Sequence, residues 1–590
     1  MESSVAQIKI PQAFGGGTNF ARAKTSTTTV TDRDSIALNG ELADARNFNF
    51  AWTHDPHATA LGLPDLATAG EVLRGKTVFG LTGDWDPSRP GDNNVRTQLD
   101  SGAHLSSAND GTITFGFFDF NHAVGINNNP HLGEGKGYSA FNDAQKAAAR
   151  IAVGNWDELI SPEFQEVTMS SKGASDWAKN AADIWLANTT TGPAQAWAYY
   201  PNQGQPYLRT SGDVWIADPR FNTSNADLRS GQYGLQTLNH ELGHSLGLSH
   251  PGDYNFGDDN DGDGLPDPIT YEGDAFYFQD SHQYTIMSYF DSYETGNNVI
   301  DWNLMRVMYP STPMVHDIWV IQQKYGAETT TRTGDTTYGF NATADVANDA
   351  MRFEDGKPAA IFSIWDAGGN DTLDFSGFYT PSVIDLREGA YSSAGGLGAY
   401  DPSWAGVDPS TVSKDAYLAF VNANNAAEGL GSRTAAYDLY FGGRPGVNEG
   451  VPWSDVVGKD WLMENNVGIA YGAIVENAIG GHGNDRINGN QANNVFTGND
   501  GADTFVFANY SGIDATGKSV IDTSIDTILD FSSLEGDKID LSWFTSVDST
   551  DLSYVGGQLG INTDNIGGAD FLINLAGAPV ISFTDDFVYA

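Results

Sequence analysis

Three histidines and one glutamate lie within residues 240–250. His240 and His244 are four residues apart, so on a helix both side chains project from one face and can bind the same ion. His250 follows closely enough to reach that ion as a third ligand. Three neutral imidazoles leave a fourth position for water, which is typical of a catalytic zinc site. Glu241, beside the first ligand, is placed to act as the general base toward that water.

A helix over about residues 235–246 would position the first two histidines. Leu238, Leu242 and Leu246 form a second stripe that can anchor this helix in a core. Gly247 can end the helix and turn the chain back. The alternative interpretation is three histidines held by ordinary hydrogen bonds. It is disfavoured because the 590-residue chain contains only 11 histidines.

The surrounding pattern predicts a mixed α/β (α+β) domain. Asp143 can cap a helix that runs to about residue 160. The predicted strands and the last predicted helix cover residues 113–120, 182–187, 194–200 and 213–216 and residues 314–325, with Gly326 as the helix stop.

The residues between 240 and 289 carry a family resemblance. The pattern H-E-x-x-H-x-x-G-x-x-H is the metzincin signature. Segments 250–255 (HPGDYN) and 286–289 (IMSY) resemble the serralysin family specifically. The resemblance implies a zinc endopeptidase with one catalytic zinc ion that acts on protein or peptide substrates. It also implies that Met287 forms an apolar floor under the histidines and that Tyr289 is an additional, displaceable zinc ligand that can bind the oxyanion.

Segment 194–200 resembles the edge strand of that family, which would hold an extended peptide through backbone hydrogen bonds. The alternative is an ordinary strand inside the sheet.

Three nonapeptides, 480–488, 489–497 and 498–506, approximate the G-G-x-G-x-D-x-U-x repeat of a calcium-binding parallel β-roll. The second repeat has Asn494 where aspartate is expected, so we expect fewer ions than in long repeat arrays. The predicted calcium ligands are Gly481, Gly483, Asp485 and Asp503, and the predicted interior residues are Ile487, Phe496 and Phe505. A glycine-rich sheet without metal is the alternative.

Segments 332–336 and 366–371 resemble calcium sites at the domain junction of the same family. By that resemblance, one calcium ion would be bound by the backbone of Arg332, Gly334 and Thr336 and the side chains of Asp366 and Asp371. Gly369, Asp371 and Glu476 would share another, and Gly368 is a further predicted calcium ligand. A separate acidic segment resembles the start of a calcium loop through Asp259, Asp261, Asp263 and Asp267. Thr270 stands where such a loop has its bidentate glutamate, and a solvated acidic loop is the alternative.

The net charge of -46 excludes nucleic acid as a partner and favours cation binding. The chain has no cysteine and no apolar run long enough to span a membrane. Residues 1–17 do not resemble a secretory signal peptide, whereas residues 585–590 resemble the uncleaved signal read by a type I secretion apparatus. We therefore expect an extracellular protein that is either free or associated with the cell surface.

These patterns predict several regions. Residues 1–105 form an irregular N-terminal extension, either a propeptide or an arm, and residues 106–326 form the metzincin domain. Residues 327–590 form a parallel β-roll or β-sandwich domain, interrupted at about 391–465 by an insertion that could fold on its own. The alternative function is a calcium-dependent, surface-associated binding protein whose zinc site is blocked or vestigial.

Overall fold

A computed structural model describes a large part of the chain. It covers residue 81 and residues 95–118, 134–168, 182–191, 195–201, 211–252, 254–255, 269–295, 297–346, 349–354, 356–404, 407, 411–433, 462–508, 512–513, 519–520, 524–544, 546–563 and 568–590. The acidic segment with Asp259, Asp261, Asp263 and Asp267 lies outside the described residues, as does nearly all of residues 1–94. In the described part, no helix combines the length and the apolar character that a bilayer crossing requires.

A six-stranded sheet is the centre of the N-terminal domain, with β2 paired to β4 beside the order β3-β1-β4-β6-β5. Its strands are β1 Thr112–Phe117, β2 Tyr138–Ser139, β3 Glu163–Glu166, β4 Ile184–Thr189, β5 Ala196–Ala198 and β6 Val214–Ala217. Strands β3, β1, β4 and β6 are parallel, and β5 runs antiparallel to β6 at the edge. The predicted edge strand is therefore confirmed.

Two of the described helices, Asp143–Asp157 and Tyr233–Ser245, pack against this sheet. The described α-helices are α1 Val95–Leu99, α2 Asp143–Asp157, α3 Tyr233–Ser245, α4 Tyr271–Asp274, α5 Val315–Tyr325 and α6 Lys414–Ala427. Short 3-10 helices cover Ser106–Asp110, Glu134–Gly137, Thr223–Ala226, Ser292–Thr295 and Asp349–Met351. Helix α2 begins with a capping box in which Asn142 and Gln145 exchange side-chain-to-backbone bonds, so Asn142 is the cap, and not Asp143 as predicted. The indole of Trp156 on α2 donates to the carbonyl of Asn239, which fixes α3 against α2.

Residues 95–105 pack into the N-terminal domain, although the sequence analysis placed them in the extension. Val95 and Leu99 of α1 are fully buried in the main core. Leu105 is also buried, and its N–H donates to the phenol oxygen of Tyr325 on α5. The sequence missed this packing because the partners lie far away along the chain.

The C-terminal domain is built on two facing sheets of mainly parallel strands. One contains β9 Thr337–Gly339, β11 Thr372–Asp374, β15 Asn477–Ile479, β17 Val495–Thr497, β21 Ile525–Ile528, β23 Leu552–Val555, β24 Gln558–Ile561 and β25 Phe571–Leu575. The other contains β12 Val383–Asp385, β16 Arg486–Asn488, β18 Thr504–Val506, β22 Lys538–Asp540 and β26 Phe587–Val588.

The smaller described sheets are a three-stranded one and two hairpins. They contain β10 Phe362–Ile364, β13 Tyr391–Ser392 and β14 Val467–Ile469; β7 Ile300–Asp301 and β8 Arg306–Val307; and β19 Gly512–Ile513 and β20 Ser519–Val520.

The predicted repeats form the turns of a parallel roll. Strands β15, β16, β17 and β18 follow at nine-residue intervals and alternate between the two sheets. Ile487, Phe496 and Phe505 all have 0% exposure, so they fill the interior as predicted. The predicted fold class, an α/β domain followed by a parallel roll, is confirmed.

Helix α6, which belongs to the insertion, packs against the N-terminal domain. Tyr417 and Val421 of α6 share an apolar cluster with Trp302 and Met305. The Tyr417 hydroxyl donates to the carbonyl of Trp302 at 2.7 Å. The amide of Asn425 donates to the carbonyl of Leu304 at 2.8 Å. Whether the insertion can fold on its own stays a prediction, since these contacts show only where α6 packs.

Candidate active site

Helix α3 carries His240 and His244 on the face opposite its buried leucines. Leu238 and Leu242 are 2% and 1% exposed, so they anchor the helix in the core. Gly243 allows a close approach: a Cβ there would lie 2.5 Å from the sulfur of Met287. Gly247, with φ of +94°, turns the chain toward the third histidine, as the sequence predicted.

The three histidine side chains converge on one point. The Nε2 atom of His250 lies 3.0 Å from that of His244 and 3.3 Å from that of His240. Each Nδ1 faces a backbone carbonyl. That of His240 lies 2.7 Å from the carbonyl of Ile286, that of His244 lies 2.8 Å from the carbonyl of Leu248, and that of His250 lies 3.1 Å from the carbonyl of Tyr254. A carbonyl can only accept, so each Nδ1 carries the proton and each Nε2 presents a lone pair. Three lone pairs this close repel one another unless a cation lies between them, so the residues fit a zinc ion.

Burial keeps the imidazoles in the neutral form that metal binding needs. It lowers the pKa of His240 to about 3 and that of His250 to about 4. Burial, together with the neighbouring histidines, holds the pKa of His244 well below its ordinary value. Protons therefore do not compete for these ligands near neutral pH.

Glu241 is buried beside the histidines, with 5% exposure. Its Oε2 atom has no hydrogen-bond partner among the described residues. Burial raises the pKa of this carboxyl to about 8, and a nearby metal cation would oppose that shift. A carboxylate oxygen without a hydrogen-bond partner can accept a proton.

Met287 and Tyr289 both lie beside the histidines. Met287 has 0% exposure and packs under Gly243. The ring of Tyr289 is 4.3 Å from that of His250 and 6.1 Å from that of His240, measured between centroids. Tyr289 is 39% exposed, so its side chain is partly open to solvent.

Two buried aspartates that the sequence analysis did not identify hold the Met-turn, residues 286–289. Asp317 on α5 accepts from the N–H of Ile286 at 2.8 Å. Asp280 accepts from the hydroxyls of Ser288 at 2.7 Å and Tyr254 at 2.8 Å. Burial raises the pKa of Asp317 to about 7. Polar residues in apolar surroundings were the only available signal, and it does not indicate what they contact.

Strand β5 presents an open backbone edge beside the histidines in the described sheet. Its neighbours Gln195 and Tyr199 form their backbone bonds toward the β6 side. By strand alternation, the N–H and C=O groups of Ala196, Ala198 and Tyr200 face outward. The Tyr200 ring stands edge-on to His244 with the centroids 5.5 Å apart. Tyr200, for which the sequence analysis proposed no role, therefore lies where a peptide on this edge would pass the histidines.

The predicted junction residues are brought together around Asp371. Its Oδ1 accepts from the N–H of Thr336 at 2.8 Å, and its own N–H donates to Glu476 at 2.7 Å. Gly369 lies against the carbonyl of Gly334, which a Cβ would approach to 2.2 Å. The Oδ2 atom of Asp371 is buried and has no hydrogen-bond partner among the described residues. Burial raises the pKa of this carboxyl to about 7, with the charges of Asp366 and Glu476 adding to the effect.

The remaining residues of this set lie next to Asp371. Asp366 accepts from the N–H of Gly368 at 2.8 Å and from the phenol of Tyr338 at 2.6 Å. Arg332, with φ of +48°, directs its side chain away to an ion pair with Glu158 at 2.8 Å. Arg332 can therefore contribute only backbone atoms to an ion. Clustered carboxylates with an orphaned oxygen fit a calcium ion.

The roll aligns the carboxylates of successive turns. Asp485 accepts from the N–H of Gly481, and its own N–H donates to Asp503 at 2.8 Å. The N–H of Asp503 donates in turn to Oδ1 of Asp537 at 3.0 Å. Asp537 lies outside the recognised repeats. The Oδ2 atom of Asp503 is buried and has no hydrogen-bond partner within the part of the chain that the structure describes. The Gly483 carbonyl and the Oδ1 atom of Asp503 both lie near Gly501, because a Cβ there would approach them to 2.2 and 3.2 Å.

These carboxylates would need backbone ligands to hold calcium. Within the part of the chain that the structure describes, the histidine trio is the only group of three or more His, Asp or Glu side chains whose ligand atoms meet within 4.8 Å. The carbonyls of the glycine turns are the available partners.

The turn at Asn494 is different, because an amide takes the place of a carboxylate. Its Nδ2 donates to the carbonyl of Glu476 at 2.9 Å and to Oδ1 of Asn490 at 2.8 Å. Its Oδ1 accepts from the N–H of Asn490 at 2.8 Å, much as Asp485 accepts from Gly481. The NH₂ group thus satisfies oxygens that would otherwise face a cation. The imperfect second repeat is therefore satisfied without an ion.

Asn494→Asp is expected to add about one bound calcium ion per chain. Without the NH₂ group, the Glu476 carbonyl and Oδ1 of Asn490 lose their hydrogen-bond donor and can bind the ion together with the new carboxylate. Calcium content after equilibrium dialysis measures this. Asn493→Asp, one residue away and exposed, adds the same charge and is expected to leave the calcium content unchanged. Equal calcium contents for both variants and the parent would contradict the interpretation.

Comparisons with known proteins agree with this geometry. The family "Peptidase M10 serralysin C terminal" matches residues 327–403 and 446–588. "Serralysin" of Proteus mirabilis is 34% identical over 357 residues, which are 60% of this chain and 56% of that protein. "Metallopeptidase AprA" of Pseudomonas marginalis is 35% identical over 361 residues, 61% of this chain and 57% of that protein. "Serralysin C" of Dickeya chrysanthemi is 41% identical over 261 residues, 44% of this chain and 49% of that protein.

The chain spans about half the length of the curated relatives that it matches. The gap between the two matched segments, residues 404–445, includes helix α6 and falls within the predicted insertion. The converging histidines and the roll are consistent with these matches, which make the chain similar to serralysins and residues 327–403 and 446–588 similar to the serralysin C-terminal domain.

Proposed function

We propose that the protein is an extracellular zinc endopeptidase that cleaves extended segments of other proteins. The observation that carries this proposal is the convergence of three neutral imidazoles beside a buried glutamate with a free oxygen. Zinc held by His240, His244 and His250 would supply Lewis-acid polarisation of the scissile carbonyl and of the attacking water. The names of the relatives, serralysin and metallopeptidase, support the same reaction.

The residues of the chain divide the remaining work. The open edge of β5 binds the substrate backbone through Ala196 and Ala198, which aligns an extended peptide past the histidines. Glu241 takes the proton from the attacking water and delivers it to the departing amine. The phenol of Tyr289, on the exposed side of His250, donates a hydrogen bond to the oxyanion. Because β5 recognises backbone groups, we infer broad preference for unfolded protein substrates.

The proposal is tested by hydrolysis of casein by the full chain in calcium. The assay is run before and after a zinc-selective chelator, and again after zinc is restored. Loss and recovery of cleavage would support the proposal. An inert protein with zinc bound would favour instead a calcium-dependent binding protein with a blocked site.

Export by a type I apparatus and association with the cell surface are part of the same proposal. The buried carboxylates of the roll support an extracellular location, because calcium is plentiful there. Cell fractionation with and without a calcium chelator distinguishes a free enzyme from a surface-bound one.

Tyr289→Phe is expected to lower kcat by about 10²-fold, in the range for loss of one oxyanion donor, while the bound zinc content stays the same. Steady-state kinetics on a fluorogenic peptide measure this. Tyr293→Phe is a suitable control, because Tyr293 is 47% exposed and belongs to the following 3-10 helix. A kcat equal to that of the parent would exclude the phenol from the reaction.

A further inference from the structure

A segment from the N-terminal side of the chain pairs with the turn that leads to the third histidine. We call residues 95–105 the N-terminal brace. Asp100 forms an antiparallel bridge with Leu248. The N–H of Ser249 donates to the carbonyl of Leu99 at 2.7 Å, and the N–H of Ser101 donates to the carbonyl of Gly247 at 3.1 Å. The brace therefore adds a short strand to residues 247–249, between the second and third histidines.

Side-chain bonds reinforce this pairing from both sides. The hydroxyl of Ser249 donates to the carbonyl of Gln98 at 2.8 Å, and that of Ser101 donates to the carbonyl of Gly247 at 2.7 Å. Gly247 leaves no free space, because a Cβ there would lie 2.1 Å from the carbonyl oxygen of Ala103. Brace and turn are thus fitted together at backbone contact distance.

The first half of the brace is anchored in the core by apolar packing and by an ion pair. Val95 and Leu99 are fully buried. Asp100 forms an ion pair with Lys324 of α5, and both side chains are 6% exposed. Breaking a buried pair of this kind is costly, because it leaves an unpaired charge. The brace therefore keeps a fixed position relative to α5.

The paired turn is in direct contact with the histidines. The carbonyl of Leu248, opposite Asp100, accepts from Nδ1 of His244 at 2.8 Å. Tyr325 donates to the carbonyl of Leu246 at 2.9 Å and accepts from the N–H of Leu105. The orientation of one ligand and the path to another thus depend on contacts of the brace. Groups that orient a ligating histidine in this way typically tune metal affinity.

We propose that the N-terminal brace is a positioning element of the zinc site, and that any cut that removes the N-terminal extension falls before Val95. The proposal rests on the zinc binding of the proposed function. It divides residues 1–105 into a dispensable part and a part that the metal centre requires.

Zinc release from the full chain tests the positioning role. Gly247→Ala, which forces Ala103 away, is expected to speed transfer of zinc to a chromogenic chelator by about 10- to 100-fold. Ser249→Ala, which removes only the bond to Gln98, is expected to act more weakly in the same direction. The matched control is Gly326→Ala. Gly326 also has positive φ, +82°, but its Cβ would meet only the exposed Ser161 hydroxyl at 3.1 Å.

Each outcome has a separate meaning. Equal zinc release by the Gly247 and Gly326 variants, with comparable melting temperatures, would overturn the positioning role. A parent protein that holds no zinc would overturn the proposed function and this inference with it.

Limited proteolysis of the full chain, followed by N-terminal sequencing, tests where the extension can be cut. A fragment that begins after Val95 and still retains zinc would refute the proposed boundary.

Discussion

Replacing Glu241 by glutamine is expected to lower peptide hydrolysis by about 10²- to 10⁴-fold, the range for loss of a general base, and to leave one zinc ion bound. Glutamine keeps the shape of the side chain but cannot take up a proton from water. The histidines keep their bonds to the carbonyls of Ile286, Leu248 and Tyr254, so the metal site persists. Zinc content by atomic absorption and kcat on one peptide substrate measure the two effects together.

The control for this variant is Glu163→Gln. Glu163 is exposed on β3, at the edge of the sheet opposite to β5. It is expected to retain full activity and zinc. Hydrolysis that survives in the Glu241 variant would show that another group takes the proton. Loss of zinc from that variant would instead assign Glu241 a role in holding the metal site.

The convergence of the three histidines could be predicted from the sequence because it depends on local structure. The helix predicted over 235–246 extends over Tyr233–Ser245 in the structure, since its leucine stripe and terminal glycine act within a few residues of one another. The interior of the roll was equally predictable, because the nine-residue repeat places Phe496 and Phe505 at equivalent positions.

What the sequence did not reveal depends on long-range contacts. Residues 95–105 lack a regular pattern and are fixed by partners such as Ser249 and Lys324. Asp317 contacts the Met-turn across 31 residues, and no spacing rule connects the two. Asp537 continues the ladder of Asp503 after a longer connection, so the repeat did not include it. Helix α6 has ordinary helical periodicity, which cannot show which surface it covers.

Removing calcium is expected to make the stability of the roll fall as the pH rises. Burial, with added charge repulsion at Asp503 and Asp371, raises the pKa of Asp503 to about 8 and those of Asp485 and Asp371 to about 7. In the unfolded chain these groups release their protons near pH 4. Between about pH 4 and 8 the folded state thus binds more protons than the unfolded state, and its free energy of unfolding decreases with pH.

Calcium is expected to reverse this slope, because its ligands must be deprotonated and the cation replaces the lost protons. A site filled at 100 times its Kd contributes about 2.7 kcal/mol. At roughly 2–4 °C per kcal/mol for a domain of this size class, each such site raises Tm by about 5–10 °C. Calorimetry at pH 5.5, 7 and 8.5 measures the slope. All metals are first stripped, and calcium alone is then restored, so that zinc does not contribute.

Asp503→Asn separates the carboxylate from the rest of the fold. Without metal, this variant is expected to be more stable than the parent at pH 8.5, because a buried charge with an orphaned oxygen has been removed. In calcium it is expected to be less stable, because a ligand is missing. Asp500→Asn changes a carboxylate of the same repeat that is 76% exposed, and it is expected to alter neither value by much. If the Tm of the metal-free protein rises between pH 5.5 and 8.5, deprotonation of these buried carboxylates does not destabilise the fold, and the prediction is wrong.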